Sequence, residues 1–233
     1  MWKKIKAFFN KKNLNELGWK LYHELRRKSY SDKFKNQEDI KRIPCCSIGS
    51  MFGGNQLTKD FQELKTGEKK TPTHTILYLG GGDHTIAEAD VYFSKNKLER
   101  YARSKVVFHY FKNMTVEEVE EIKRRIYYLL DKKLSYDFMG YIGFVSREIS
   151  FLRKVKLLMA SDTTVFCSDG VAVVYHGDEN NNDENIKKWG TIRFISGIYE
   201  ANKNFPAAIY LYLHRLHEAM PDKVGEIILY PFE

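Results

Sequence analysis

The sequence predicts an α+β domain, an antiparallel sheet packed against helices, with a helical extension in front. Two observations predict it. Three β-like runs, Thr73–Leu79, His84–Ala89 and Lys105–Phe111, follow one another, and helical patterns precede and follow them rather than alternating with them. Of the 233 residues, 43% are hydrophobic and 14% aromatic, enough to build a packed core.

The elements read as follows. In residues 1–30, Ile5, Phe8, Phe9, Leu14, Leu17, Leu21 and Leu25 recur at helical spacing among lysines and arginines. Ser29 to Asp39 is polar and reads as a linker, so residues 1–40 form the extension and 41–233 the domain. Ile43 to Ile48 reads as an entering strand carrying Cys45 and Cys46, and Ser50 to Thr73 as loop with one helical turn near Phe61. Thr73–Leu79, the turn Gly80 to Asp83, and His84–Ala89 form a hairpin. Lys105–Phe111 is a third strand. Thr115–Lys132 is the clearest helix, because Thr115 and Glu118 make a capping box before an apolar face of Val119, Ile122, Ile126 and Leu129. Ser135 to Gly140 reads as a turn and Tyr141 to Ala160 as helix. A short β-like stretch ends at Cys167, where a helix opens. Gly177 to Lys188 is a surface loop. Pro206 starts a helix through Leu213, and Gly225–Phe232 closes the fold as a strand.

Charge and cysteine usage bound the function. The net charge of +8 suits an anionic membrane or wall surface, reached through the basic N-terminal helix. No nucleic-acid module accompanies it, so no specific nucleic-acid partner is expected. Three cysteines without a CxxC pair exclude a zinc ribbon and argue for a reducing compartment. No apolar run approaches the roughly 20 residues of a membrane span, and the N-terminus lacks the apolar core of a signal peptide. The expected location is therefore cytoplasmic or particle-associated.

Cys167 is the candidate nucleophile. A thiol at a strand-to-helix junction lies in the field of a helix N-terminus, which favours the thiolate. A thiol nucleophile needs a base, and the base needs an orienting group. His74 opens a strand and can serve as base; Glu88, on the returning strand, can orient it. A five-residue connection, Leu79 to Asp83, pairs residue 74 with 88 and puts both on one face, whereas a four-residue connection puts them on opposite faces. His84 shares that face and rivals Glu88 as third member. The backbone N–H of Cys167 can donate to an oxyanion.

Other polar residues read differently. His74, Asp83, His84 and His109 lack a compact metal motif such as HExxH, so no metal and no cofactor are expected. His214 and His217 read as a solvated helix face, and His109 and His176 as structural or surface residues. Gly80 to Gly82 is not a phosphate loop, because neither GK[ST] nor GxGxxG follows.

The order Thr73-His74-Thr75-Ile76-Leu77-Tyr78-Leu79-Gly80, then Ile86-Ala87-Glu88-Ala89, then Tyr136-Asp137-Phe138, then Phe166-Cys167-Ser168-Asp169 resembles the circularly permuted NlpC/P60, or permuted papain-like, cysteine hydrolases. These include the YiiX-like amidases. The resemblance covers roughly residues 43 to 213. It implies a permuted papain-like sheet, with Cys167 as nucleophile, His74 as base and Glu88 as orienting residue. It implies a cysteine hydrolase, of peptidase or amidase type, that cleaves an amide or ester bond through an acyl-enzyme. The substrate would be a peptidoglycan peptide, another peptide amide or a lipid acyl group. Two features depart from the pattern: Cys-Ser-Asp stands where the family often has Cys-Ser-Glu, and no Gly-Asp-Ile strand precedes the histidine. The second expectation is a non-catalytic binding protein, or one associated with a phage or virus particle, that keeps the papain-like shape.

Overall fold

The computed structural model describes residues 33–53, 67–89, 92–132, 135–136, 164–165, 167–179, 181, 183–195 and 206–231, together with Lys59 and Glu63. The N-terminal amphipathic segment, the turn near Phe61 and the segment Tyr141 to Ala160 lie outside these residues.

Six strands form one antiparallel sheet: β1 (Ile48–Phe52), β2 (His74–Gly80), β3 (Thr85–Ala89), β4 (Phe93–Lys97), β5 (Lys105–Phe111) and β8 (Val224–Leu229). Their spatial order is β4-β3-β2-β1-β5-β8, so the chain's last strand pairs beside β5. Two short strands, β6 (Ser135–Tyr136) and β7 (Thr164–Val165), pair in parallel as a second sheet. The helices are α1 (Val116–Lys132), α2 (Cys167–His176), α3 (Glu184–Lys187) and α4 (Pro206–Ala219).

Alternating side chains give the large sheet two apolar faces. Ile48, Leu77, Ala87 and Ala89 join Ile122, Ile126 and Leu129 of α1, Val171 and Val174 of α2, and Ile209 and Leu213 of α4 in one core. Met51, Ile76, Tyr78, Ile86, Val106, Phe108 and Ile227 form the other. That second face is covered by a 3-10 turn at Gln37–Arg42 and another at Leu98–Tyr101, through Ile40, Leu98 and Tyr101.

Several sequence expectations hold. Residues 105–111 form a strand, and the capping box closes with Thr115 N–H donating to Glu118 Oε2 at 2.9 Å and Glu118 N–H to Thr115 Oγ1 at 3.2 Å. Others need correction. Ile43 to Ser47 is not strand; Cys45 and Cys46 lie in a turn, with Cys46 at φ 67°, and the strand starts at Ile48. The supposed linker docks: Phe34 pairs with Pro231 and is buried, as is Ile40. The loop after Gly177 contains α3, capped by Asp183 accepting from Asn185 N–H. Ser135 and Tyr136, read as turn, pair with β7.

The position of α2 depends on Gly170. A Cβ there would stand 2.9 Å from the ring of Phe93, which is buried in β4. The missing side chain lets the first turn of α2 press against the sheet. Gly170→Val should therefore overpack this contact and lower stability by roughly 1–3 kcal/mol, read as a lower midpoint in urea unfolding. No loss would mean that α2 does not sit this close.

Candidate active site

The β2–β3 register determines whether His74 and Glu88 can meet. Leu77 pairs with Ala87 and Tyr78 with Ile86; then an irregularity between Tyr78 and Gly80 brings Gly80 opposite Thr85. Only four residues, Gly81 to His84, separate the strands, and the extra residue at Leu79 compensates for the short turn. The pairing is shifted by two residues from the sequence expectation, yet the faces are kept. Continuing the register puts Glu88 opposite Ile76, diagonal to His74. Diagonal neighbours lie about 7–8 Å apart at the backbone, a gap that an imidazole and a glutamate side chain span together.

They do span it. Nε2 of His74 lies 2.7 Å from Oε2 of Glu88. Glu88 is fully buried, and two further donors reach it: Arg100 Nη1 donates to Oε1 at 2.7 Å, and the Tyr101 hydroxyl donates to Oε2. Desolvation pushes the Glu88 pKa up, but the bonds and charges of His74 and Arg100 and the bond from Tyr101 outweigh it, and the net shift is downward. The carboxylate is thus held charged without water.

His74 is the first residue of β2, and β3 stops at Ala89, one residue short of the position opposite it. Cys167 opens α2 and is buried. The imidazole bonds Glu88, and Cys167 lies near enough to act on its proton affinity. Burial alone would lower the His74 pKa; the charge and hydrogen bond of Cys167, then those of Glu88, overcome it and raise the value to about 10. A histidine and a glutamate far apart in sequence are therefore bonded, and the cysteine that opens α2 acts on the same ring.

Two other candidates fall elsewhere. His84 sits in the hairpin turn at φ 46° and bonds through Nδ1 to the Tyr78 hydroxyl at 3.0 Å. His214 and His217 are not a solvated face: His214 Nδ1 is 3.1 Å from Oε2 of Glu226, and His217 Nδ1 is 2.8 Å from the Val224 carbonyl oxygen. His109 is fully buried on β5. Sequence reasoning missed Arg100 and Tyr101. They lie in a 3-10 turn after an edge strand, Phe93–Lys97, whose polar residues give little strand signal.

No family model and no curated protein matches the chain. Among solved structures it is similar to the metalloprotein yiiX from Escherichia coli. The match has 16% identity and a TM-score of 0.43, and covers 76% of this chain and 81% of that one.

Removing a partner from a buried ion pair leaves the other charge uncompensated. Glu88→Ala removes the buried carboxylate that His74 and Arg100 share, and should cost about 3–5 kcal/mol, measured by chemical denaturation. A loss below 1 kcal/mol would mean that Glu88 does not anchor this cluster.

Proposed function

We propose that this protein is a thiol hydrolase acting on an amide or ester bond, with a permuted papain-like arrangement of its sheet and helices. The observation that carries the reading is the His74–Glu88 hydrogen bond at 2.7 Å beside Cys167, whose charge and hydrogen bonding, with those of Glu88, raise the histidine pKa to about 10. Glu88 occupies Nε2 of His74, which leaves Nδ1 for the sulfur. An imidazolium between a carboxylate and a thiol stabilises the thiolate, the reactive form.

The chemistry follows from these groups. The Cys167 thiolate adds to the carbonyl carbon, and the backbone N–H at the start of α2 donates to the developing oxyanion. His74 gives its proton to the departing amine or alcohol as the carbon–heteroatom bond breaks, leaving a thioester on Cys167. A water then attacks the thioester while His74 takes its proton, which releases the acid and restores the thiolate. Glu88 keeps the ring oriented and balances its charge throughout, as Arg100 and Tyr101 keep Glu88 in place. None of these steps calls on a cofactor. Transfer of the acyl group to an amine instead of water would use the same intermediate.

The net charge of +8 supports a substrate presented on an anionic wall or membrane, a peptidoglycan peptide or a lipid acyl group. One observation favours the second reading, a binding protein that retains the shape without catalysis: Cys167 is only 3% exposed. Iodoacetamide separates the two. For a hydrolase, Cys167 is alkylated faster than an ordinary free thiol at neutral pH, and His74→Ala slows it at least tenfold. Alkylation no faster than that of a model thiol, and unchanged by His74→Ala, would support the binding protein.

A further inference from the structure

A second cluster of histidine and carboxylate lies on the other half of the sheet, and the hydrolase chemistry does not use it. His109 on β5 and Glu226 on β8 are direct cross-strand partners. His214 projects from α4 over them. His109 Nε2 lies 3.0 Å from Glu226 Oε2, and His214 Nδ1 lies 3.1 Å from the same oxygen. One donor atom from each of the three residues falls within a sphere in which all are 4.8 Å or less apart.

Within the cluster, His214 hydrogen-bonds Glu226, but the buried His109 ring is less well satisfied. His109 has no side-chain exposure, and neither of its ring nitrogens has a hydrogen-bond partner among the described residues. Its Nε2 does lie 3.0 Å from Glu226 Oε2, as an ion-pair contact. A buried imidazole nitrogen and a second histidine nitrogen converging on one carboxylate oxygen is the arrangement of a three-ligand site.

We propose that His109, His214 and Glu226 form a binding site for a divalent transition metal of the zinc class. Tetrahedral zinc with ligands near 2.0–2.1 Å separates its donor atoms by about 3.3 Å. The two separations from the Glu226 oxygen, 3.0 and 3.1 Å, need to open only slightly to reach it, and the two ring nitrogens, at most 4.8 Å apart, would settle at the same distance on metal binding. Two imidazoles and one carboxylate suit zinc, and a magnesium or calcium site would instead be built of oxygens. The outer surroundings agree. His214 would bind through Nδ1, while its Nε2 has Glu218 Oε1 at 3.7 Å, a loose ion-pair contact rather than a hydrogen bond. The Tyr210 ring stacks on His214 with centroids 5.3 Å apart and lies 5.7 Å from that of His109, which limits the motion of both. Three protein ligands leave a fourth position for water, and the His214 side chain, 34% exposed, gives the site an opening to solvent. His217 faces the Val224 carbonyl oxygen and lies outside the cluster.

The test uses the full chain with Cys45, Cys46 and Cys167 replaced by serine, so that thiols cannot bind the metal. After chelator treatment and dialysis, zinc ion is titrated against a chromogenic chelator. The expected result is one equivalent bound, with affinity reduced at least 100-fold by His214→Ala and by Glu226→Gln and unchanged by His217→Ala. Absence of stoichiometric binding, or binding indifferent to both ligand substitutions, would overturn the proposal. Near-ultraviolet circular dichroism checks that the variants fold. Should either fail to fold, cobalt added to the thiol-free chain decides: visible bands of a tetrahedral nitrogen–oxygen site support the assignment, and their absence refutes it.

Discussion

A fully buried carboxylate constrains this half of the molecule. Glu88 has no contact with water, and an isolated charge in that position would be too costly to keep. It remains charged because His74, Arg100 and Tyr101 all donate to it. Those three donors come from β2 and from the turn after β4, so the carboxylate ties together the edge of the sheet. The same bonds fix the His74 ring, whose proton affinity Cys167 also raises. The orientation of that ring is thus a consequence of how one buried charge is satisfied.

The molecule contains a contrast between two histidines. Both His74 and His109 are buried near a glutamate. His74 is pushed up to about 10 because Cys167 adds a second negative partner to Glu88. His109 is pulled down, because desolvation dominates and the neighbouring His214 and His217 oppose its protonation. The same residue type beside the same kind of partner therefore takes opposite states.

Much of the cysteine centre was legible in the sequence, for physical reasons. Strand alternation requires His74 and Glu88 to share a face whenever the pairing sum is even, and the structure keeps that parity although it shifts the register by two. The shift was not legible, because the triple glycine hides both the turn length and the compensating irregularity at Leu79. The junction at Cys167 was legible from the change of pattern, an apolar β-like run giving way to a helix-compatible segment. Arg100 and Tyr101 were not, since their role depends on a polar edge strand and a 3-10 turn that carry no periodic signal. His109 was half legible: alternation in Val107, Phe108 and His109 puts it beside Val107 on the helix-facing side. Its pairing with Glu226, more than a hundred residues away, depends on a strand order that local patterns do not encode.

On the proposed mechanism His74 is an imidazolium beside Glu88 and Cys167. Nuclear magnetic resonance of the His74 ring nitrogens across a pH titration reads its protonation state. The ring should stay protonated through neutral pH and lose its proton near pH 10, with a lower midpoint in Cys167→Ser. A ring that titrates near its ordinary value of 6.5, with or without the thiol, would contradict that mechanism.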